Sequence, residues 1–266
     1  MKKAIKKLFR KKGADHLVLS FPKCGRTWLR MMLNKIIIDE YNVKDGDLLE
    51  TYKLTRDMKE VPNIQFLHDD DPHIKQSKDI ETDKSKYTNK KVIFLIRDPR
   101  DTLVSYYFQY TKRGDKEDAK DNFNGTMSEF MHHNTGSIDS FIKFYNVWAN
   151  NRTVPNNFFI VRYEDLMNDP IYNMQRVLDF LEIPAKLETI KNAVDFCNFD
   201  NMKKMEKTGN YGNRLSAGKT NDPESFKVRK GKVGGYTEYL TDEDIKFLDN
   251  KINKELDDYY YYYKSN

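Results

Sequence analysis

The segment Phe21-Pro22-Lys23-Cys24-Gly25-Arg26-Thr27-Trp28 holds the densest chemistry in the chain. A glycine-bearing turn that opens a helix presents uncapped backbone N–H groups. Those groups, with the positive end of the helix dipole, favour an anion. Gly25 lets a phosphate approach the backbone closely, Lys23 adds a positive charge and Thr27 a hydroxyl. The order differs from the Walker A loop, in which lysine follows the last glycine and precedes Ser or Thr. Here lysine precedes glycine, so a standard nucleoside-triphosphatase loop is a poor fit. Taken alone, the segment reads as a phosphate cradle or as a plain turn that carries Lys and Gly.

The surrounding pattern must position that turn. His16–Phe21 is a short apolar run and reads as a buried strand, with Pro22–Gly25 as the turn after it. From Thr27 to about Asp39, the residues Trp28, Leu29, Met32, Leu33 and Ile36 recur at helical spacing. Asn63–Leu67 reads as a second strand that runs straight into His68 and the acidic run Asp69–Asp71, which reads as solvated. Lys91–Ile96 is the clearest buried strand, and Arg97–Arg100 turns the chain towards a helix expected near Asp101–Thr102. Ser137–Asn150 reads as a helix, Phe158–Tyr163 as a fourth strand, and a further helix follows Asp169-Pro170 until Pro184 stops it. Nearly all-apolar strands alternating with helices imply an α/β fold with a parallel sheet covered on both faces. Residues 111–136 read as a polar surface excursion or lid. Residues 205–235, with six of the twelve glycines, read as a loop, plain or able to order on a ligand. The run Tyr259–Tyr263 has no account at this level.

Charge and composition narrow the class. The net charge is +5, yet residues 1–12 hold seven bases and no acid; without them 39 bases face 41 acids. The basic balance therefore belongs to the terminus, and a nucleic-acid-binding face, which would spread positive charge over folded surface, is not expected. Residues 1–14 form a basic tail in which Ile5, Leu8 and Phe9 could share one side, either a frayed terminus or a weak membrane-surface anchor. Residues 15–266 read as one domain with length enough for a single core. Two cysteines, no run near the ~20 apolar residues of a membrane span, and no signal-peptide pattern point to a cytoplasmic protein.

Three motifs in order across residues 20–236 resemble the sulfotransferases of cytosolic type. Ser20–Trp28 is similar to the family's 5′-phosphosulfate loop. Lys91–Tyr106 (KVIFLIRDPRDTLVSY) resembles its 3′-phosphate motif, a strand ending in Arg with a Ser eight residues later, here Arg97 and Ser105. Arg229-Lys230-Gly231, followed by Gly234-Gly235-Tyr236, resembles the late Arg-Lys-Gly triplet. The resemblance implies a P-loop-like three-layer sandwich around a parallel sheet. It also implies a donor, 3′-phosphoadenosine 5′-phosphosulfate (PAPS), and a small-molecule acceptor.

The resemblance assigns roles residue by residue. Lys23 would donate to the leaving oxygen, while the loop from Cys24 through Gly25, Arg26, Thr27 and Trp28 holds the 5′-phosphate. Arg97 and Ser105 would bind the 3′-phosphate, and Arg229, Lys230 and Gly231 would close over it. Trp28, Phe199 and Tyr163 would contact the adenine. His68, directly after a strand in a setting (FLHDD) like the bacterial branch, would be the general base, with His73 as the rival and Asp69 as a partner that could orient it. Cys24 and Arg26 replace the usual Ser and Thr of the loop, and Cys197 a usual Thr. Arg26 would add charge near the donor or face the acceptor. The dimer motif of animal members is not visible, and no metal site is expected. Two other classes stay open: a non-catalytic protein that binds 3′-phosphoadenosine 5′-phosphate (PAP), and a P-loop kinase that needs ATP and Mg²⁺.

Overall fold

Lys91–Ile96 (β3) lies at the heart of the molecule because five of its six residues are buried on both faces of the sheet. A computed structural model describes residues 13–113, 123–209, 211, 215 and 222–265. The basic segment 1–12 lies outside the described residues. Four strands, His16–Ser20 (β1), Ile64–Leu67 (β2), β3 and Asn157–Arg162 (β4), form one sheet in the order β2-β1-β3-β4. Every pairing is parallel, with Val18 beside Ile93 and Ile93 beside Phe159. Parallel strands need crossover helices, and these cover both faces of the sheet.

The helices are Arg26–Glu40 (α1), Thr51–Thr55 (α2), Pro99–Arg113 (α3), Met127–Met131 (α4) and Ile138–Asn150 (α5). They continue with Tyr163–Asn168 (α6), Pro170–Leu181 (α7), Leu187–Phe196 (α8), Phe199–Thr208 (α9) and Asp242–Glu255 (α10). The three-layer α/β sandwich expected from the motifs is the observed architecture. α3 starts two residues earlier than the sequence pattern suggests. Pro99 occupies its first turn, where a missing N–H costs nothing, and the Asp98 carboxylate accepts from Arg100 N at 2.8 Å.

Two segments depart from the loop reading. α3 runs through Arg113, and α4 is closed by a capping box between Thr126 and Glu129. Phe130 of α4 is buried among Tyr106, Tyr107, Tyr110 and Phe123, so this part of the excursion is core rather than surface. α9 likewise extends to Thr208. Residues 114–122, 210, 212–214 and 216–221 lie outside the described residues, and the lid and ordering-loop readings fall partly there.

The tyrosine run forms a 3₁₀ segment, Asp258–Tyr263, that fastens the chain's end to the sheet. Tyr260 is fully buried and its hydroxyl donates to Tyr145 O at 3.0 Å. The Tyr263 hydroxyl donates to Glu164 Oε2 at 2.9 Å, and the other oxygen of Glu164 accepts from Asp98 N at 2.8 Å. Tyr259 and Tyr262 take the guanidinium groups of Arg152 and Arg162 over their rings, and Tyr261 faces solvent. Tyr260→Phe should keep the packing and lose one buried hydrogen bond. We expect about 1 kcal/mol of destabilisation in urea unfolding, while Tyr260→Ala, which leaves a cavity, should cost about 3–5 kcal/mol.

Candidate active site

The strand order fixes where a ligand can sit. From β1 the chain crosses to β2 on one side, and from β3 it proceeds to β4 on the other, so direction reverses between β1 and β3. The crevice outside the carboxyl ends of strands at such a reversal is where open α/β sheets bind ligands. The loop Phe21–Gly25 leaves β1 there. His68, Arg97 and Tyr163 are the first residues past β2, β3 and β4. One cavity of about 540 Å³ opens at this end. It lies within the usual size of small-molecule sites, about 300–1,000 Å³.

The loop after β1 has backbone geometry that would suit an anion. Lys23 and Gly25 both have left-handed backbone, with φ of 73° and 91°. For lysine that conformation is strained by roughly 1–2 kcal/mol. Arg97 Nη1 holds the strained residue by donating to Lys23 O at 3.2 Å. At Gly25 a Cβ would also lie 2.6 Å from the Tyr163 ring, so glycine is required twice over. α1 then begins with no side-chain cap and no acidic residue in its first turn, leaving its N–H groups for a ligand.

Lys23 itself is enclosed. Burial, then the neighbouring charges of Lys227 and Arg113, lower its pKa to about 7. Its Nζ donates to Gln109 Oε1 at 3.2 Å, one turn beyond Ser105 on α3. Gln109 is a contact that sequence reading missed, because its only signal is helical spacing from Ser105.

Arg97 is a hub. Its guanidinium lies 4.3 Å from the centroid of the Tyr163 ring, its Nη2 donates to Lys232 O at 3.3 Å, and its Nε is buried with no hydrogen-bond partner. The Tyr145 hydroxyl accepts from Arg97 N at 3.0 Å and stands 3.7 Å from Cys24 Sγ. Cys24 therefore points into the core. Its thiol, pushed up to about 12 by burial, is neutral and does not line the cavity. Of the loop residues expected to hold the 5′-phosphate, Cys24 is the one whose side chain turns away from the cavity. Every other predicted site residue lines the cavity: Lys23, Gly25, Arg26, Thr27, Trp28, His68, Arg97, Ser105, Tyr163, Phe199, Arg229, Lys230 and Gly231. Cys197 also lines it, and its carbonyl accepts from Trp28 Nε1 at 2.8 Å, fixing that ring through backbone.

His68 and His73 both line the cavity, with ring centroids 5.5 Å apart. His68 Nδ1 lies 2.9 Å from Ser20 O. A carbonyl can only accept, so the proton sits on Nδ1 and Nε2 keeps its lone pair. Burial, then the charge of Arg26, lowers the pKa of His68 well below 6.5, so the ring is neutral at pH 7. Asp69 does not orient it and is not solvated. Its side chain is buried, takes the Tyr87 hydroxyl at 2.5 Å and pairs with the fully buried Lys84 Nζ at 2.7 Å. Asp70 pairs with Lys75. Among the described residues no group of three His, Cys, Asp or Glu side chains is gathered as metal ligands would be.

The late Arg-Lys-Gly triplet lies on a strap tied at both ends by buried carboxylates, neither of them predicted. Glu206 accepts from Lys227 N at 2.7 Å and Val228 N at 2.8 Å, and pairs with Arg113 at 3.0 Å. Asp101 accepts from Gly234 N at 2.8 Å and Tyr236 N at 2.9 Å. Between the ties, Arg229 pairs with Glu224 at 3.0 Å and Lys230 with Glu238. Gly231, at φ 57°, packs so closely on Phe199 that a Cβ would fall 2.5 Å from its ring.

The site so described is a cavity at the carboxyl ends of a parallel sheet, lined by a glycine turn at a helix start and by a neutral imidazole. A family model described as sulfotransferase domain matches residues 14–260. Cytosolic sulfotransferase 5 of Arabidopsis thaliana is 25% identical over 93% of this chain and 80% of its own length. The amine sulfotransferase of Oryctolagus cuniculus is 25% identical over 92% and 81%. The crystal structure of mouse sulfotransferase SULT7A1 complexed with PAP shares the fold at a TM-score of 0.63 and 19% identity, covering 95% of this chain and 88% of that one. The chain belongs to the sulfotransferase family, of the cytosolic type, and is a transferase whose sulfuryl donor is PAPS. Among the described residues no helix is long and apolar enough to cross a membrane.

If the two carboxylates hold the strap, Glu206→Gln and Asp101→Asn should each loosen it. We expect at least tenfold faster amide hydrogen exchange at the strap's tied N–H groups, with protection of β1 and β3 retained. Unchanged strap protection in both variants would remove the ties from this account.

Proposed function

We propose that this protein transfers a sulfuryl group from PAPS to a hydroxyl of a small-molecule acceptor by in-line displacement, in the cytoplasm. The carrying observation is that Lys23 and His68 line one cavity from the ends of adjacent strands, the lysine strained into place and the histidine tautomer fixed by Ser20 O. In the reaction the acceptor oxygen forms a bond to sulfur as the bond from sulfur to the bridging oxygen breaks. The electron pair goes to that oxygen, and Lys23 Nζ donates to it. The acceptor proton goes to His68 Nε2. Charge stabilisation at the leaving oxygen is the main requirement, as in phosphoryl transfer.

The remaining assignments follow the same cavity. The N–H groups from Gly25 to Trp28 and the Thr27 hydroxyl would take the 5′-phosphate. Arg97, with its unpartnered Nε, and Ser105 would take the 3′-phosphate, closed over by Arg229, Lys230 and the Gly231 amide. Trp28, Phe199 and Tyr163 would contact the adenine. His68 is favoured over His73 as base because its Nδ1 is anchored. The residues 15–266 would act as one domain.

The first test is calorimetric titration with PAP and, in parallel, ATP, both with EDTA. Tight PAP and weak ATP binding are expected; binding of ATP alone with Mg²⁺ would favour a kinase. Arg97→Ala should weaken PAP by at least tenfold, and far more than adenosine 5′-phosphosulfate, which lacks the 3′-phosphate but still meets the loop that Arg97 braces; equal losses would sink the 3′-phosphate assignment. Lys23, lowered to about 7, is split between its two forms at neutral pH. An anion selects the ammonium, so PAP binding should take up a proton and weaken as pH rises from about 7 to about 9. Lys227, lowered to about 8, titrates in the same window, so Lys23→Met should reduce this uptake without abolishing it.

Activity should report His68 separately. Because its pKa lies below the ordinary value, the acid limb of kcat/KM should fall below pH 6.5. His68→Ala should abolish turnover and spare PAP binding. Full activity in that variant would move the base to His73 or make one unnecessary.

A further inference from the structure

Lys23 is held at both ends. Arg97 Nη1 donates to its carbonyl, and at the tip of its side chain Nζ donates to Gln109 Oε1 at 3.2 Å. Gln109 therefore stands beside the atom that meets the leaving oxygen. Ser105, Gln109 and Arg113 follow one another at i, i+4 spacing along α3 and share one face of it. The first two line the cavity. Tyr106, one turn before Gln109, lines it too, with its hydroxyl donating to His73 O at 3.1 Å. The rings of His73 and His68 follow, so this face of α3 runs from Lys23 towards the histidine wall.

The amide of Gln109 has a fixed sense. An ammonium can only donate, so the side-chain oxygen faces Lys23 and the NH₂ group turns out from that contact. A bound anion keeps Lys23 in its ammonium form, so the same sense holds with donor present. Gln109 is half-buried, and among the described residues its Nε2 has no hydrogen-bond partner. Such a half-enclosed donor costs free energy unless the occupant of the cavity takes it up. The sulfuryl group supplies the matching acceptors. It hangs from the bridging oxygen that Lys23 Nζ meets, so its outer oxygens lie one atom beyond that contact. With Lys23 donating to both Oε1 and the bridging oxygen, a hydrogen bond from Nε2 to an outer oxygen closes a ring.

We propose that Gln109 is a sulfuryl-binding residue: its Oε1 holds the Lys23 ammonium while its Nε2 donates to an outer oxygen of the group in transfer. This rests on the sulfotransferase reading and adds a residue to its transfer step. The acceptor oxygen bonds to sulfur, the bond from sulfur to the bridging oxygen breaks, and the electron pair stays on that oxygen as PAP leaves. The acceptor proton goes to His68 Nε2, and Gln109 gains and loses none. Charge spread over the outer oxygens in a loose transfer is met by a donor already in place. A neutral amide also suits this position better than a further cation, because the positive neighbours of Lys23 already lower its proton affinity.

The test uses PAPS and PAP, which differ by the sulfuryl group, titrated without acceptor into wild-type protein, Gln109→Leu and Gln109→Glu. Leucine removes both contacts, whereas glutamate keeps an oxygen on Lys23 and removes the donor. Each variant should lose about tenfold or more in PAPS affinity relative to PAP. Gln109→Glu, with a carboxylate beside Lys23, should also take up less proton than wild type on binding PAP at about pH 8, because its lysine is already charged. Equal losses for PAPS and PAP, or an unchanged ratio in both variants, would overturn the proposal. A ratio that falls in Gln109→Leu alone would also overturn it, since Gln109 would then act only through Lys23. Unchanged proton uptake in Gln109→Glu would remove the contact with Lys23 and the proposal with it. Failure of PAP to bind wild-type protein is a separate result, read in the first titration, and would defeat the sulfotransferase reading itself.

Discussion

The parallel pairing of β1 with β3 is the constraint on which the rest of the molecule depends. It sets Ser20 beside Leu95, so the loop after β1 and the residue after β3 emerge side by side. Arg97 can then reach back to the carbonyl of Lys23 and hold a lysine in left-handed backbone. Without that neighbour, the strained loop would relax and its N–H groups would scatter. The same reversal of direction sends α1 to one face of the sheet and the α3–α5 segment to the other, leaving the crevice between them open.

Charge in that crevice is organised by burial more than by pairing. Lys23, Lys227 and His68 all have lowered proton affinity, in each case chiefly because water is excluded and then because other cations stand near. The buried carboxylates are spent elsewhere. Glu206 and Asp101 satisfy backbone N–H groups of the strap, and Asp69 neutralises the buried Lys84. Glu206 and Asp101 thereby fix the backbone that carries Arg229 and Lys230.

The far end of the chain takes part in this arrangement. Tyr260 donates to Tyr145 O, and the Tyr145 hydroxyl touches Arg97 N and Cys24 Sγ. Tyr263 works through Glu164 to Asp98 N, next to Arg97. A run without meaning as a linear pattern is thus a buttress for the two loops that carry Lys23 and Arg97.

The sequence by itself determined the four strands nearly to the residue, because all-apolar runs bounded by turn residues admit few other readings. It also determined the glycine turn after β1, the Arg97–Ser105 spacing and the position of His68, because those depend on local order along the chain. Only the tertiary structure decided which groups face one another across long separations. Gln109 on Lys23, Glu206 and Asp101 on the strap, Ser20 O on His68, and the inward turns of Cys24 and Asp69 are contacts between distant segments. A linear pattern carries periodicity and turn chemistry. The partner of a buried polar group is set by which segments the sheet brings together.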